Sequence, residues 1–115
     1  MASYVGQYVL TSVASGARLS GGAMGIEIGS KGYLYGVGQF YGYDSNGSQS
    51  TWTATLYNFR TTKAQPMAFD LLGPSVKIKF GQILISKRLT SGDLTGQIQL
   101  TNGRFAIHWH KISAR

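Results

Sequence analysis

Tyr33-Leu34-Tyr35-Gly36-Val37-Gly38-Gln39-Phe40-Tyr41-Gly42-Tyr43 is the stretch from which the fold can be read. Taken at a period of two, it separates into Tyr33, Tyr35, Val37, Gln39, Tyr41 and Tyr43 on one face and Leu34, Gly36, Gly38, Phe40 and Gly42 on the other. That alternation is the signature of a β-strand, and no helical period competes with it. Glycine inside a strand costs stability unless another backbone approaches closely or the sheet must curl hard. Both conditions are met in a narrow barrel. The Tyr35 side is taken as the inward one; a one-residue flip exchanges Tyr35 for Leu34 and Phe40.

The same beat continues in both directions. Gly29-Ser30-Lys31-Gly32 and Asp44-Ser45-Asn46-Gly47-Ser48 bound the strand as turns. Upstream, residues 4–13 read as a strand, Ser15-Gly16 as a turn, and 23–28 as a strand with Met24, Ile26 and Ile28 on one face. The Gly21-Gly22 pair marks a bulge or a bend. Downstream, Gln49–Arg60 places Trp52, Ala54, Leu56 and Asn58 together. Residues 61–66 form a looser connection, and Met67–Leu72 fits either a strand or one helical turn. Val76, Ile78 and Phe80 alternate with Lys77 and Lys79, and Gly81 turns the chain into 82–86. A turn at Ser91-Gly92-Asp93 precedes the run Leu94, Gly96, Ile98, Leu100. Asn102-Gly103 then closes a hairpin onto residues 105–112. About eight strands in series, without βαβ alternation, predict an all-β, antiparallel up-and-down β-barrel. Short strands avoid exposed edges by closing on themselves.

A chain of 115 residues is read as one barrel domain, 1–115. It has no cysteine, which excludes disulfides and thiolate metal sites. Eleven Lys and Arg against four Asp and Glu give a formal charge of +7. Such a surface attracts polyanions, although a solvated face that maintains solubility accounts for it with fewer assumptions. In sequence, Lys77, Lys79, Lys87 and Arg88 crowd together. No apolar run is long enough to span a bilayer. Met1-Ala2-Ser3-Tyr4 lacks the pattern of a signal peptide, so the expected location is the cytoplasm, or outside it with a leader removed.

Gly6-Gln7-Tyr8-Val9-Leu10, a glycine followed by an aromatic near the start of the first strand, resembles the opening strand of calycin-type barrels: lipocalins, fatty-acid-binding proteins and avidins. The hairpin from Leu94-Thr95-Gly96 to Arg104-Phe105 through Asn102-Gly103 is similar to their terminal hairpins. The resemblance spans the chain at the level of architecture and implies a calycin-like barrel that binds a small molecule.

Several groupings bear on chemistry. His108 and His110, two apart on a strand, project from one face and are the candidates for metal ligation. A third ligand would have to come from Glu27, Asp70 or Asp93, and no metal or cofactor is expected. Asp44 and Asp93 sit in turns, so a catalytic carboxylate pair has little support, and no nucleophile elbow occurs. The tyrosine row of Tyr33, Tyr35, Tyr41 and Tyr43 is cross-strand packing, a stacking platform for bases or sugars helped by Arg18, Lys31 or Arg60, or an oligomer contact.

The expected function is a non-enzymatic binding protein for a small, partly apolar ligand in the lumen, lined by Tyr8, Met24, Tyr35, Trp52, Leu56, Ile98 and Trp109. Three alternatives stand beside it. One is a polyanion or nucleic-acid binder using a basic, tyrosine-rich surface. Another is a small barrel enzyme of the cyclase or isomerase type acting through His108, His110 and Glu27. The third is a structural or assembly subunit, a homo-oligomer.

Overall fold

The computed structural model of the chain describes residues 2–43, 46–73, 79–101 and 103–113. Its strands are β1 (Gly6–Val13), β2 (Leu19–Ile28), β3 (Leu34–Tyr43), β4 (Gln49–Arg60), β5 (Met67–Leu72), β6 (Lys79–Arg88), β7 (Leu94–Leu100) and β8 (Gly103–Ser113). Each pairs antiparallel with the next and β8 pairs with β1, which closes an up-and-down barrel of eight strands. Among the described residues the helical content is one 3-10 turn, Ala2–Tyr4, and no helix is long and apolar enough to cross a membrane.

The strand expectations meet the structure with local corrections. The chain enters β1 at Gly6, because residues 2–4 are wound as the 3-10 turn. Met67–Leu72 is a strand, paired on both sides. Gly81 is not a turn. It lies inside β6 opposite Leu71, where an added Cβ would run into the Gln99 carbonyl of β7. Asp44 and Ser45 of one expected turn, Lys77, Val76 and Ile78, and Asn102 of the last hairpin lie outside the described residues.

Eight strands enclose an interior just wide enough for side chains. Of the residues expected to line a ligand lumen, Tyr8, Met24, Leu56, Ile98 and Trp109 face inward and are buried, with Ile26, Leu34, Phe40, Phe69, Ile83 and Ile85 among their neighbours. Trp52 packs against this core while partly exposed. Tyr35 is the correction: it is 51 % exposed and points outward. β3 alternates buried and exposed over all ten residues, with Leu34, Gly36, Gly38, Phe40 and Gly42 inside. The physical reason is volume. The Phe40 ring lies over the hydrogen-only faces of Gly22 and Gly38 and meets Trp109 edge-on at 6.1 Å, so that parity packs a large ring into the interior. The opposite parity would bring four tyrosines into a space already occupied.

A second parity shift occurs in β4. Asn58, expected on the inward face with Trp52 and Leu56, adopts φ 56° at a register break between Tyr57 and Arg60. The bulge turns Asn58 outward and carries Phe59 onto the core against Phe69, 5.7 Å away. Asn58 Nδ2 then donates to Asp70 Oδ2 at 2.8 Å, and Arg60 Nη2 lies 2.9 Å from Asp70 Oδ1. Asp70 is only 4 % exposed. Arg60→Ala would strip a counter-charge from a buried carboxylate, and a loss of about 2 kcal/mol is expected by urea unfolding, modest for such a pair because Asn58 remains.

One end of the barrel is stoppered by the N-terminal turn. Tyr4 packs against the core, and the Tyr8 hydroxyl donates to the Tyr4 carbonyl at 2.7 Å. Burial pushes the Tyr8 phenol up to about 12, against the opposing pull of the Arg88 charge.

Candidate functional site

The outer surface of the barrel carries a second set of large side chains, set there by β3 and the residue before it. Tyr33, Tyr35, Val37, Tyr41 and Tyr43 are all exposed, Tyr33 to 64 % and Val37 to 59 %. At about 3.3 Å per residue the row from Tyr33 to Tyr43 runs roughly 33 Å. The flanking strands frame it differently. On β2, Ala23, Gly25 and Glu27 stand opposite Gln39, Val37 and Tyr35. On β4, Thr51, Thr53 and Thr55 stand opposite Tyr41, Gln39 and Val37. Small residues on one side and threonines on the other leave the aromatic row standing above its neighbours.

The step between the aromatic row and the small residues of β2 is a groove of ≈ 420 Å³, bounded by Gln7, Ala23, Gly25, Tyr35, Val37 and Gln39. The Gln7 amide of β1 lies over the bare Cα of Gly25. The Tyr41 hydroxyl donates to Gln39 Oε1 at 3.1 Å, which orients that amide. A second depression of ≈ 280 Å³ continues past Tyr41 toward Ser20, Gln49 and Thr51. The electrostatics of this face are simple. Within β2, β3 and β4 only Glu27 and Arg60 carry charge, and Arg60 is committed to Asp70. Lys31 and Arg18 lie in the turns beyond the two ends of the row. Rings, amides and hydroxyls dominate the platform.

On another sector of the wall, the structure joins residues the sequence leaves apart. Asp93, in the β6–β7 turn, accepts from both histidines: His108 Nε2 is 2.9 Å from its Oδ2, and His110 Nδ1 is 3.1 Å from its Oδ1. A carboxylate can only accept, so each facing nitrogen carries hydrogen. The Lys111 backbone N–H donates to Oδ1 at 3.0 Å. Of the three acids weighed as partners, Asp93 meets the pair and Glu27 and Asp70 do not. The register of the β7–β8 hairpin could have revealed this, because it sets Thr95 opposite His108 and Leu94 opposite Trp109, one residue short of Asp93 and His110. No group of three or more such side chains positioned to hold a metal ion occurs among the described residues. The cluster instead offers an imidazole, His108, oriented by a carboxylate. It stands two residues beyond Ala106, which lines a separate groove of ≈ 500 Å³ with Leu84, Ser86, Thr95 and Gln97.

The His108 hydrogen bond, then the Lys111 amide, hold the Asp93 carboxyl below its ordinary value against opposing desolvation, with lesser help from the charge and hydrogen bond of His110. A carboxyl depressed in the folded state stabilises the fold above its unfolded value, about 4, and ceases to do so as pH falls through the folded value. Asp93→Asn is therefore expected to lower stability at neutral pH and to match the wild type once the solution is acid enough to protonate Asp93 in both states. Urea midpoints measured from pH 7 to pH 2 check this.

The lumen keeps one polar loose end. Trp109 Nε1 is buried and has no hydrogen-bond partner among the described residues. Burying such a donor unpaired costs about 1–3 kcal/mol. Sequence reasoning placed Trp109 inside but gave no sign that its N–H would lack an acceptor.

Comparisons with family models, with curated proteins and with solved structures give no match to this chain.

Proposed function

We propose that the protein is a non-enzymatic binding protein whose site is the outer face of β2, β3 and β4, and that its ligand is an uncharged, extended glycan. The observation that carries this reading is the row of Tyr33, Tyr35, Val37, Tyr41 and Tyr43, exposed on a surface almost without charge. Exposed apolar rows of this size mark interaction sites. A sugar chain presents flat C–H faces for aromatic stacking and a rim of hydroxyls for hydrogen bonds. The platform supplies the rings from β3, and beside them Gln7, Gln39 and the threonines of β4. A nucleic acid would need cations along its backbone, and Gly, Ala and Thr flank the middle of the row instead.

The test is affinity electrophoresis and calorimetry against soluble neutral polysaccharides, including xylan, hydroxyethyl cellulose and laminarin. Binding to at least one is expected, little changed between 50 and 300 mM salt. Tyr35→Ala and Tyr41→Ala should each weaken it at least tenfold while leaving the unfolding midpoint in place. Unaltered affinity in both variants, or no binding to any of the polymers, refutes the reading. Single-stranded RNA binding that collapses with salt would put the polyanion reading in its place.

The unpaired Trp109 N–H favours a second reading, in line with the calycin-type resemblance: a small lumen ligand that accepts a hydrogen bond from Nε1. Native mass spectrometry of the protein from its source should then show an adduct that Trp109→Phe loses, and a clean apo mass removes this reading.

A further inference from the structure

The stoppered end of the barrel gathers positive charge. Because the strands alternate in direction, the β2–β3, β4–β5 and β6–β7 connections share that end with the N-terminal turn. Lys31 and Lys63 lie in these connections, and Lys87, Arg88 and Lys111 lie at strand termini beside them. The crowding of Lys79 with Lys87 and Arg88 in sequence is misleading, since Lys79 and Arg88 occupy opposite ends of β6. It is Lys111, remote in sequence, that joins Arg88. Arg88 Nε donates to the Ser3 carbonyl at 3.3 Å, and Lys111 Nζ donates to the same oxygen at 3.2 Å. Two cations held on one acceptor repel each other, and one neutral oxygen does not offset that.

Both are positioned rather than free. The Lys111 stem runs between Gly6 and Gly92, close enough that a Cβ on either glycine would press against it. Its ammonium sits 5.9 Å from the Tyr8 ring centre, within cation–π range. Arg88 spends only Nε on Ser3, leaving its terminal nitrogens without a partner among the described residues. No described carboxylate pairs with either side chain: Asp70 is engaged by Arg60 and Asn58, Asp93 by the two histidines, and Glu27 stands on β2 opposite Tyr35.

We infer that Arg88 and Lys111 form a binding site for a phosphoryl or sulfate group at the stoppered end of the barrel. Arg88 offers its outer nitrogens as a planar pair of donors, and Lys111 adds a point charge with N–H bonds to spare. The Ser3 carbonyl stays in place as the anchor that holds the two heads together. This site is separate from the tyrosine platform and does not depend on it.

Titration of the whole chain with inorganic phosphate, at ionic strength held constant with sodium chloride, tests the inference by backbone amide NMR. Saturable shifts with a millimolar or tighter midpoint are expected at Ser3, Tyr4, Arg88 and Lys111, and sulfate should compete. Arg88→Gln and Lys111→Gln each keep an amide donor for Ser3 and should weaken binding at least tenfold. A second arm uses phosphatidylglycerol vesicles. Saturation by free phosphate with no vesicle binding assigns a soluble ligand, and vesicle binding lost in the double variant assigns a lipid headgroup. Shifts spread over the whole surface, an equal response to chloride, or unchanged affinity in both variants overturns it.

Discussion

Trp109→Ala is expected to cost about 3–5 kcal/mol, enough to bring a typical small domain close to unfolding. Trp109 is completely buried, sits between Leu10 of β1 and Leu94 of β7, and meets the Phe40 ring edge-on. Truncation removes its apolar surface from the core and also leaves Phe40 without its aromatic neighbour. Phe40 is held over Gly22 and Gly38, so the void cannot easily be filled from that side. Trp109→Phe separates packing from polarity. It keeps most of the ring volume and deletes the unpartnered N–H, so a loss of no more than about 1.5 kcal/mol is expected for the empty protein. Urea unfolding followed by far-ultraviolet circular dichroism reads both variants. A Phe variant as unstable as the Ala variant would mean that Nε1 has an acceptor in the native protein, as the lumen-ligand reading requires.

The sequence makes the strands legible because turn glycines and a period of two mark them independently of one another. The seven residues expected to line a ligand lumen show where this stops. Tyr8, Met24, Leu56, Ile98 and Trp109 lie on strands whose other face is visibly more polar or less bulky, and they are inside. Tyr35 lies on a strand apolar on both faces, so alternation identifies two faces without saying which is inner. That choice is made by volume contributed from Met24, Leu56 and Trp109 on other strands, which no local pattern contains. The Asn58 bulge is equally invisible to a two-residue period, because it is where that period breaks. Asp93 and the histidines could have been joined by counting back along the terminal hairpin. The pairing of Arg88 with Lys111 could not, because it depends on closure of the barrel and on a single carbonyl at Ser3.

Gly36→Ala and Gly96→Ala are each expected to destabilise the barrel by about 3 kcal/mol, whereas Gly29→Ala should be neutral or stabilising by about 0.5 kcal/mol. The three changes are chemically the same and differ in what the new methyl meets. At Gly36 it strikes the Gly25 carbonyl of β2; at Gly96 it strikes the Leu84 carbonyl of β6. These are backbone atoms inside the sheet, and moving them means moving a paired strand. At Gly29 the nearest atom is the Tyr33 carbonyl oxygen at 3.5 Å, an ordinary contact. The contrast distinguishes two reasons for a glycine-rich strand. If these glycines merely left the interior loosely filled, alanine would add contacts at Gly36 and Gly96 and raise the urea midpoint there too. If they allow neighbouring backbones to close in so that eight strands can meet, only Gly29 tolerates the change. A stable Gly36→Ala, Gly96→Ala double variant would sink the second account.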